Sequence, residues 1–442
     1  MSVKSWLSKY YAALVVRSIY AKAAQAVDNQ NRILLDLVSS GQKTTFGRDH
    51  YFHQIRSYQD FQIKVPVRDY EELKPYIDKV VLGDEDVLWP GKPKYLSKTS
   101  GTTSGAKYIP ITVESLPEHI KAAKNALLCY IHSSGKSSFV NGKMIFLQGS
   151  PLLDKKHGIL TGRLSGIVAH HVPNYLQKNR MPSFETNCID DWETKVTEIV
   201  RETLPENMTL ISGIPAWVQM YFEKLIQASG KRTIAEVFPE FSLLVYGGVN
   251  FEPYAQRFRQ LIGKQVDTVE LFPASEGFIA FQDSQDNNGM LLNSNAGMFF
   301  EFVPQEELGK KHPKAHLLHE VELGVNYALL ISSNAGLWRY NIGDLIRFTS
   351  LKPHRIRVTG RIKHFTSAFG EHVIAEEVES ALSETLKEIP AIVNEFTLAP
   401  QNNPEDGLPH HEWFIEFIEE PKDWDSFIKT LDDKLQAKNP YY

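Results

Sequence analysis

Short apolar runs that end on glycine recur through the middle of the chain: MIFLQG at 144–149, MTLISG at 208–213 and FSLLVYGG at 241–248. Runs that are apolar throughout, with no alternation, predict strands buried on both faces. Between them, Trp192–Leu204 and Ala216–Ala228 carry apolar residues three and four apart, the spacing of a helix. Strand and helix in alternation predict a largely parallel sheet, in which ligands bind at the carboxyl ends of the strands, where these glycines fall. Helical spacing also fills the chain up to about Leu37, and Trp6, Tyr10, Leu14 and Arg17 give it an amphipathic start. In VPVRDYEEL (65–73), Pro66 and a capping Asp69 predict a helix start. Thr112–His132 predicts one long helix, with Pro117 in its first turn.

The texture changes after residue 289. GMLLNSNAGMFFEFVP, AHLLHEVELG and NYALLISS predict strands joined by hairpin turns. A last section, opening on HRIRVTGR, predicts a helix (Ala375–Leu386), two strands (Ile392–Leu398 and Glu412–Ile418) and a helix (Trp424–Ala437). The expected class is α/β, with the chain divided between 345 and 360. Residues 1–350 would form a large N-terminal domain of mixed β-sheets flanked by helices, with an antiparallel, barrel-like section. Residues 351–442 would form a small, mobile α+β domain. No internal repeat is visible.

Composition narrows the function classes. With 442 residues, 42% of them hydrophobic, the chain can bury more than one core. A formal net charge of −5 and the absence of a basic run argue against a nucleic-acid partner. Cys129 and Cys188 stand alone, without the paired spacing of a disulfide framework or zinc site, and read as apolar residues of a reducing compartment. The N-terminal apolar run stops at Arg17 with no cleavage pattern, and no run is long enough to cross a bilayer. The expectation is a cytoplasmic protein with no membrane partner.

Three stretches carry candidate chemistry. In YLSKTSGTTSGAKYIPIT (95–112), glycines let backbone N–H groups turn toward an anion, hydroxyls add donors and Lys107 adds charge. A phosphate cradle and a mobile surface loop both have this composition. It is not a Walker loop, because only three residues separate Gly101 from Gly105 and Ala106 precedes the lysine. In VELFPASEGFIAF (269–281), Ser275 and Glu276 follow an apolar strand. A carboxylate there suits Mg²⁺ on a nucleotide, or is a solvated side chain beside a turn. In GLWRYNIGDLIRF (336–348), Asp344 follows Gly343 and either takes a ribose diol or shapes a β-turn.

In this order, the three stretches resemble the core motifs of the adenylate-forming superfamily: a Ser/Thr/Gly phosphate loop, an aromatic-x-x-[ST]-Glu motif and Tyr-x-x-Gly-Asp. TTFGRDHYF, VPVRDYEELKPYI, VLWPGKPKYLSKTSGTTSGAKYIP, GLWRYNIGD and VTGRIKHFTSAFGEH are similar to the auxin-responsive promoter (Gretchen Hagen three) family of acyl acid amido synthetases. The resemblance implies that Ser100, Gly101, Thr102, Thr103, Ser104 and Gly105 hold the phosphates of ATP, with Lys107 beside them. It places Tyr246, Gly247, Gly248, Phe272, Ala274 and Ser275 around the adenine and α-phosphate. It puts Mg²⁺ on Glu276, the ribose on Asp344 and Arg361, and Lys363 near a hinge. Arg163, in GILTGRLSG, either faces the acyl pocket or is a surface arginine.

The chain departs from the family pattern at Phe272, where tyrosine is usual, and at Asn341, where many relatives have arginine. Relatives also continue past the last residue here with a further lysine-bearing segment. The implied reaction joins a small carboxylic acid to AMP, releasing pyrophosphate, and then to an amino acid as an amide. An AMP-forming acyl-CoA ligase and an inactive nucleotide-binding relative are the competing readings.

Overall fold

The computed structural model describes residues 2–102, 105–172, 177–248, 251, 254–308, 310, 313–362, 373, 375–401 and 410–438. It is a mixed α/β structure. Among the described residues, an 11-stranded sheet runs from Met298–Pro304 through Asn326–Ser333, Tyr340–Leu351, His354–Arg361, Met290–Leu292, Gly277–Phe281, Asp267–Ala274, Leu243–Gly247, Met208–Gly213 and Lys143–Phe146 to Arg180–Met181. The strands from Asp267–Ala274 to Arg180–Met181 are mutually parallel, and the rest pair antiparallel. The glycine-ended runs therefore form the parallel half, as their unbroken apolarity predicts.

Both faces of that half are covered. Met144, Leu210, Leu243, Val245 and Val269 share a core with Ala12, Val16, Ala126 and Cys129 from the helices Val3–Ala24 and Leu116–Ser134. Their chain neighbours Ile145, Ile211 and Leu244 pack on the other face with the helices Trp192–Thr203, Pro215–Ser229 and Ala255–Ile262. This period-two split needs apolar side chains at every position. Cys129 is buried, Cys188 is half-buried, and both are free thiols.

Local signals set several boundaries. Asp69 caps Tyr70–Val81 in a capping box with Glu72. Pro117 lies at the start of Leu116–Ser134, where its missing N–H leaves no bond unmade. A second, four-stranded sheet, in the order Gly105–Ile111, Tyr95–Thr102, Ile159–Gly162, Asp154–Lys156, was not foreseen. Toward the C-terminus, Ala375–Glu388, Ile392–Gln401, His410–Glu419 and Trp424–Lys438 match the expected order and build a core of their own.

Two expectations need correcting. AHLLHEVELG is not a strand: Leu317 and Glu320 close a turn through both backbone and the Glu320 carboxylate, leaving isolated bridges at His316 and Leu323. In the first helix, Trp6, Tyr10 and Leu14 face solvent, and the buried residues are Ser5, Ala12, Val16 and Ala23. Small residues let this helix lie close to Leu116–Ser134, so the large apolar positions are left outside.

One buried ion pair braces the antiparallel half. The Arg339 and Glu301 side chains are 4% and 1% exposed. The guanidinium also donates to the Val65 and Gln62 carbonyls, and Tyr58 donates to Glu301. Removing one member of such a pair strands the other charge, at about 3–5 kcal/mol. Glu301→Gln should therefore lower stability by roughly that amount, seen as a lower urea midpoint at unchanged slope; a midpoint within error of wild type would contradict it.

Candidate active site

The Ser/Thr/Gly stretch belongs to two paired strands. Tyr95–Thr102 pairs antiparallel with Gly105–Ile111, with Thr99 opposite Lys107 and an irregularity between Thr99 and Thr102. Thr103 and Ser104 lie outside the described residues, and for Ser100, Gly101, Thr102 and Gly105 only the backbone is described. Strand pairing orders the described flanks of the stretch. Lys107 Nζ lies 5.0 Å above the Tyr70 ring, and the Tyr70 hydroxyl accepts a 2.9 Å hydrogen bond from the Tyr108 N–H.

Ser275 and Glu276 are the central pair of a two-residue turn, because Ala274 pairs with Gly277 across the adjoining strands. Ser275 meets the hairpin directly: its Oγ is 2.9 Å from that of Ser97, 178 residues earlier and fully buried. Leu243–Gly247 runs parallel alongside, setting Gly247 opposite Leu271. A Cβ on Gly247 would stand 2.4 Å from the Leu271 carbonyl oxygen, so only glycine fits. Tyr246 stacks on Phe251 with centroids 4.4 Å apart, and Gly248 continues at a φ of +88°. The Phe272 ring is in the hydrophobic core, not on the open face of the turn.

Asp344 is not in a turn. It belongs to Tyr340–Leu351, just after Gly343 at φ +87°, where the register against Asn326–Ser333 jumps from Asn341 to Leu345. The bulge aims the side chain without ending the strand. Asp344 is opposite Arg361 on the next strand, and Arg361 Nε donates to Asp344 Oδ1 at 2.6 Å.

Glu276 is crowded by protein while part of its surface stays open. Desolvation holds its carboxyl above the usual value, the Asp344 charge pushes the same way, and Lys107 and Arg361 oppose both. Tyr340 is likewise shifted upward by burial and by Glu276. These mutual influences join the hairpin, the turn and the strand pair into one electrostatic cluster. Ser97, Tyr70 and Tyr340 belong to it, and the sequence reading had not singled them out. Tyr340 was available as the first residue of Tyr-x-x-Gly-Asp; nothing marks Ser97.

Arg163 is exposed, its stem against Gly149, at the start of the helix Leu164–Ala169. Lys363 lies outside the described residues. Among the described residues no group of three or more His, Cys, Asp or Glu could cage a metal, and no helix is long and apolar enough to cross a membrane.

Solved structures share this fold. The AtGH3.15 acyl acid amido synthetase in complex with 2,4-DB superposes with a TM-score of 0.78 at 17% identity, over 96% of this chain and 85% of that one. A 2-hydroxyisobutyryl-CoA ligase in the postadenylation state gives 0.60 at 12% identity, over 95% and 83%. The family models are more specific: the GH3 family N-terminal domain matches residues 15–187, the central domain 291–361 and the C-terminal domain 376–442. The chain belongs to the GH3 family. It is 24% identical over 356 residues to jasmonoyl–L-amino acid synthetase JAR4 of Nicotiana attenuata, covering 65% of this chain and 60% of that protein. It is 33% identical over 111 residues to indole-3-acetic acid-amido synthetase GH3.15 of Arabidopsis thaliana, 24% of this chain and 18% of that protein. The chain spans 60–62% of the length of the first curated relatives it matches.

The raised Glu276 carboxyl has a definite sign. Its ordinary value is 4.5. Below that, the group is protonated folded or unfolded and contributes nothing to pH dependence. As pH rises from 4.5 toward the higher folded value, the unfolded chain ionises first and stability falls. Glu276→Gln removes this loss, so its melting temperature should gain on wild type as pH rises through that window and stay ahead above it. A difference that does not change with pH would contradict the assignment.

Proposed function

We propose that this chain is an ATP-dependent, adenylate-forming ligase that activates a carboxylic acid and joins it to an amino acid as an amide. One observation carries the reading: segments near 97, 107, 275, 344 and 361 meet in a single polar cluster beside the carboxyl ends of the parallel strands, where nucleotides bind in such sheets. Family membership supports the same chemistry.

In this reading the backbone of Ser100–Gly105 and the Lys107 ammonium hold the phosphates. Ala274 and Ser275, with Tyr246–Gly248, border the adenine and α-phosphate. Asp344 takes the ribose hydroxyls and Arg361 supports it. The acid's carboxylate oxygen attacks the α-phosphorus and pyrophosphate leaves; the amine then attacks the acyl carbon and AMP leaves. The protein mainly aligns the reactants and offsets charge. The expected large (1–350) and small (351–442) domains would rotate between the two steps, with the strand His354–Arg361, which is paired within the large sheet, staying with the large one.

Mg²⁺ fits the donor set. Glu276 offers hard oxygen on a partly open surface, and such an ion is usually held by one or two carboxylates with the nucleotide's own phosphates. When bound, it offsets phosphate charge. The partners are an acid and an amino acid, not a nucleic acid, and the setting is cytoplasmic.

The test is pyrophosphate exchange into ATP with a panel of acids, followed by product masses with amino acids and coenzyme A both present. An amide supports the proposal; exchange that yields only a thioester, or no exchange with any acid, overturns it. Asp344→Asn tests the ribose role. Losing a charge-assisted bond costs about 1.5–3 kcal/mol, or roughly ten- to a hundredfold in ATP affinity. The melting temperature without nucleotide should move little, since the Arg361 side chain is 57% exposed and keeps its water. Normal ATP binding by calorimetry with a lower melting temperature would make Asp344 purely structural.

A further inference from the structure

The helix Val3–Ala24 carries a feature unconnected with the nucleotide cluster. Val3, Leu7, Tyr10 and Leu14 follow one another at steps of four, three and four, so they share one stripe. They are 75%, 52%, 63% and 55% exposed. The stripe points away from the buried residues Ser5, Ala12, Val16 and Ala23. Trp6 and Tyr11 flank it at 60% and 47% exposure, and Trp6 stacks on Tyr10 with centroids 6.4 Å apart. An exposed apolar strip of this kind on a folded protein marks a contact surface.

Charge selects the partner. From Val3 to Ala24 the helix contains Lys4, Lys9, Arg17 and Lys22 and no carboxylate, on a chain whose formal net charge is −5. On the adjoining helix, Lys124 Nζ lies over the Tyr11 ring at 5.9 Å, and Glu118 is paired to Lys121 at 3.2 Å. A second copy pairing through this stripe would bring cations against cations at the flanks. An anionic bilayer surface suits both halves of the pattern: Leu, Trp and Tyr enter the headgroup region, and the Lys and Arg ends reach lipid phosphates and carboxylates.

We infer that the outer face of Val3–Ala24 is a docking surface for anionic membrane lipid, holding the protein on a bilayer without crossing it. The stripe lies flat in the interface, and the exposed Lys4, Arg17 and Lys22 set the preference for negative headgroups. Binding weakens with salt, because the attraction to the surface is screened.

The experiment uses the full chain with vesicles of phosphatidylcholine and phosphatidylserine in equal parts, and of phosphatidylcholine alone, read by flotation. The protein should float with the first and not the second. Leu7→Ser/Tyr10→Ser/Leu14→Ser should abolish flotation, with the melting temperature unchanged because these side chains are already exposed. Lys4→Gln/Arg17→Gln should weaken binding about fivefold per charge removed. Failure of wild type to float with the anionic vesicles overturns the inference, as does unaltered flotation of the triple variant. A wild-type dimer in gel filtration that the triple variant converts to monomer, with no flotation, would instead assign the stripe to a second copy. None of these readouts depends on ligase activity.

Discussion

A guanidinium and a carboxylate sealed together in an apolar core hold the candidate site's antiparallel side in place. Arg339 adopts a φ of 44°, a strained conformation for a residue with a side chain, and is kept there by contacts on every side. Its guanidinium grips Glu301 and two carbonyls. The neighbouring Trp338, fully buried, donates from Nε1 to the Leu88 carbonyl. The backbone carries the constraint outward: Arg68 N–H donates to the Arg339 carbonyl, and Asn341 N–H to that of Arg68. Asp69, next along, caps the helix whose first residue, Tyr70, lies under Lys107. A core ion pair is thus connected, in a few bonds, to the cation beside the hairpin and to the strand that bears Asp344.

The other side of the site is held by strand geometry. Parallel strands packed on both faces leave little freedom at their carboxyl ends, and the turn at Ser275–Glu276 projects from one of them. Its contact with Ser97 joins two sheets that share no strand. The cluster at this junction balances two carboxylates, Glu276 and Asp344, against two cations, Lys107 and Arg361. Repulsion between the carboxylates contributes to the raised Glu276 value, so a cation beside them would ease a strain already present.

Much of this was legible in the sequence where a local rule governs. The buried parallel strands, the Asp69 cap and the C-terminal order of elements follow from periodicity and capping alone. The motif residues Glu276, Asp344 and Arg361 do converge, but how they converge was not legible. Gly343 before Asp344 predicts a turn at that point, whereas pairing on both sides of the strand makes it a bulge. The strand pairing at 95–111 is hidden by the Ser, Thr and Gly composition of the stretch. Ser97 gave no signal, because its importance lies in a contact 178 residues away. The first helix misled for a related reason: Trp6, Tyr10 and Leu14 mark a face, but only the partner helix decides whether large or small residues turn inward.

The donor set also bears on how a divalent cation would reach this site. Glu276 is the carboxylate at the turn, and among the described residues no three acidic or imidazole groups form a cage, so the proposed ion would share its coordination with the nucleotide. In the proposed reading, phosphate oxygens and water would complete the ion's shell, and Glu276 would hold it together with a nucleotide bound along the hairpin and Lys107. Metal binding and phosphate positioning would then depend on one seam, where Ser97 meets Ser275.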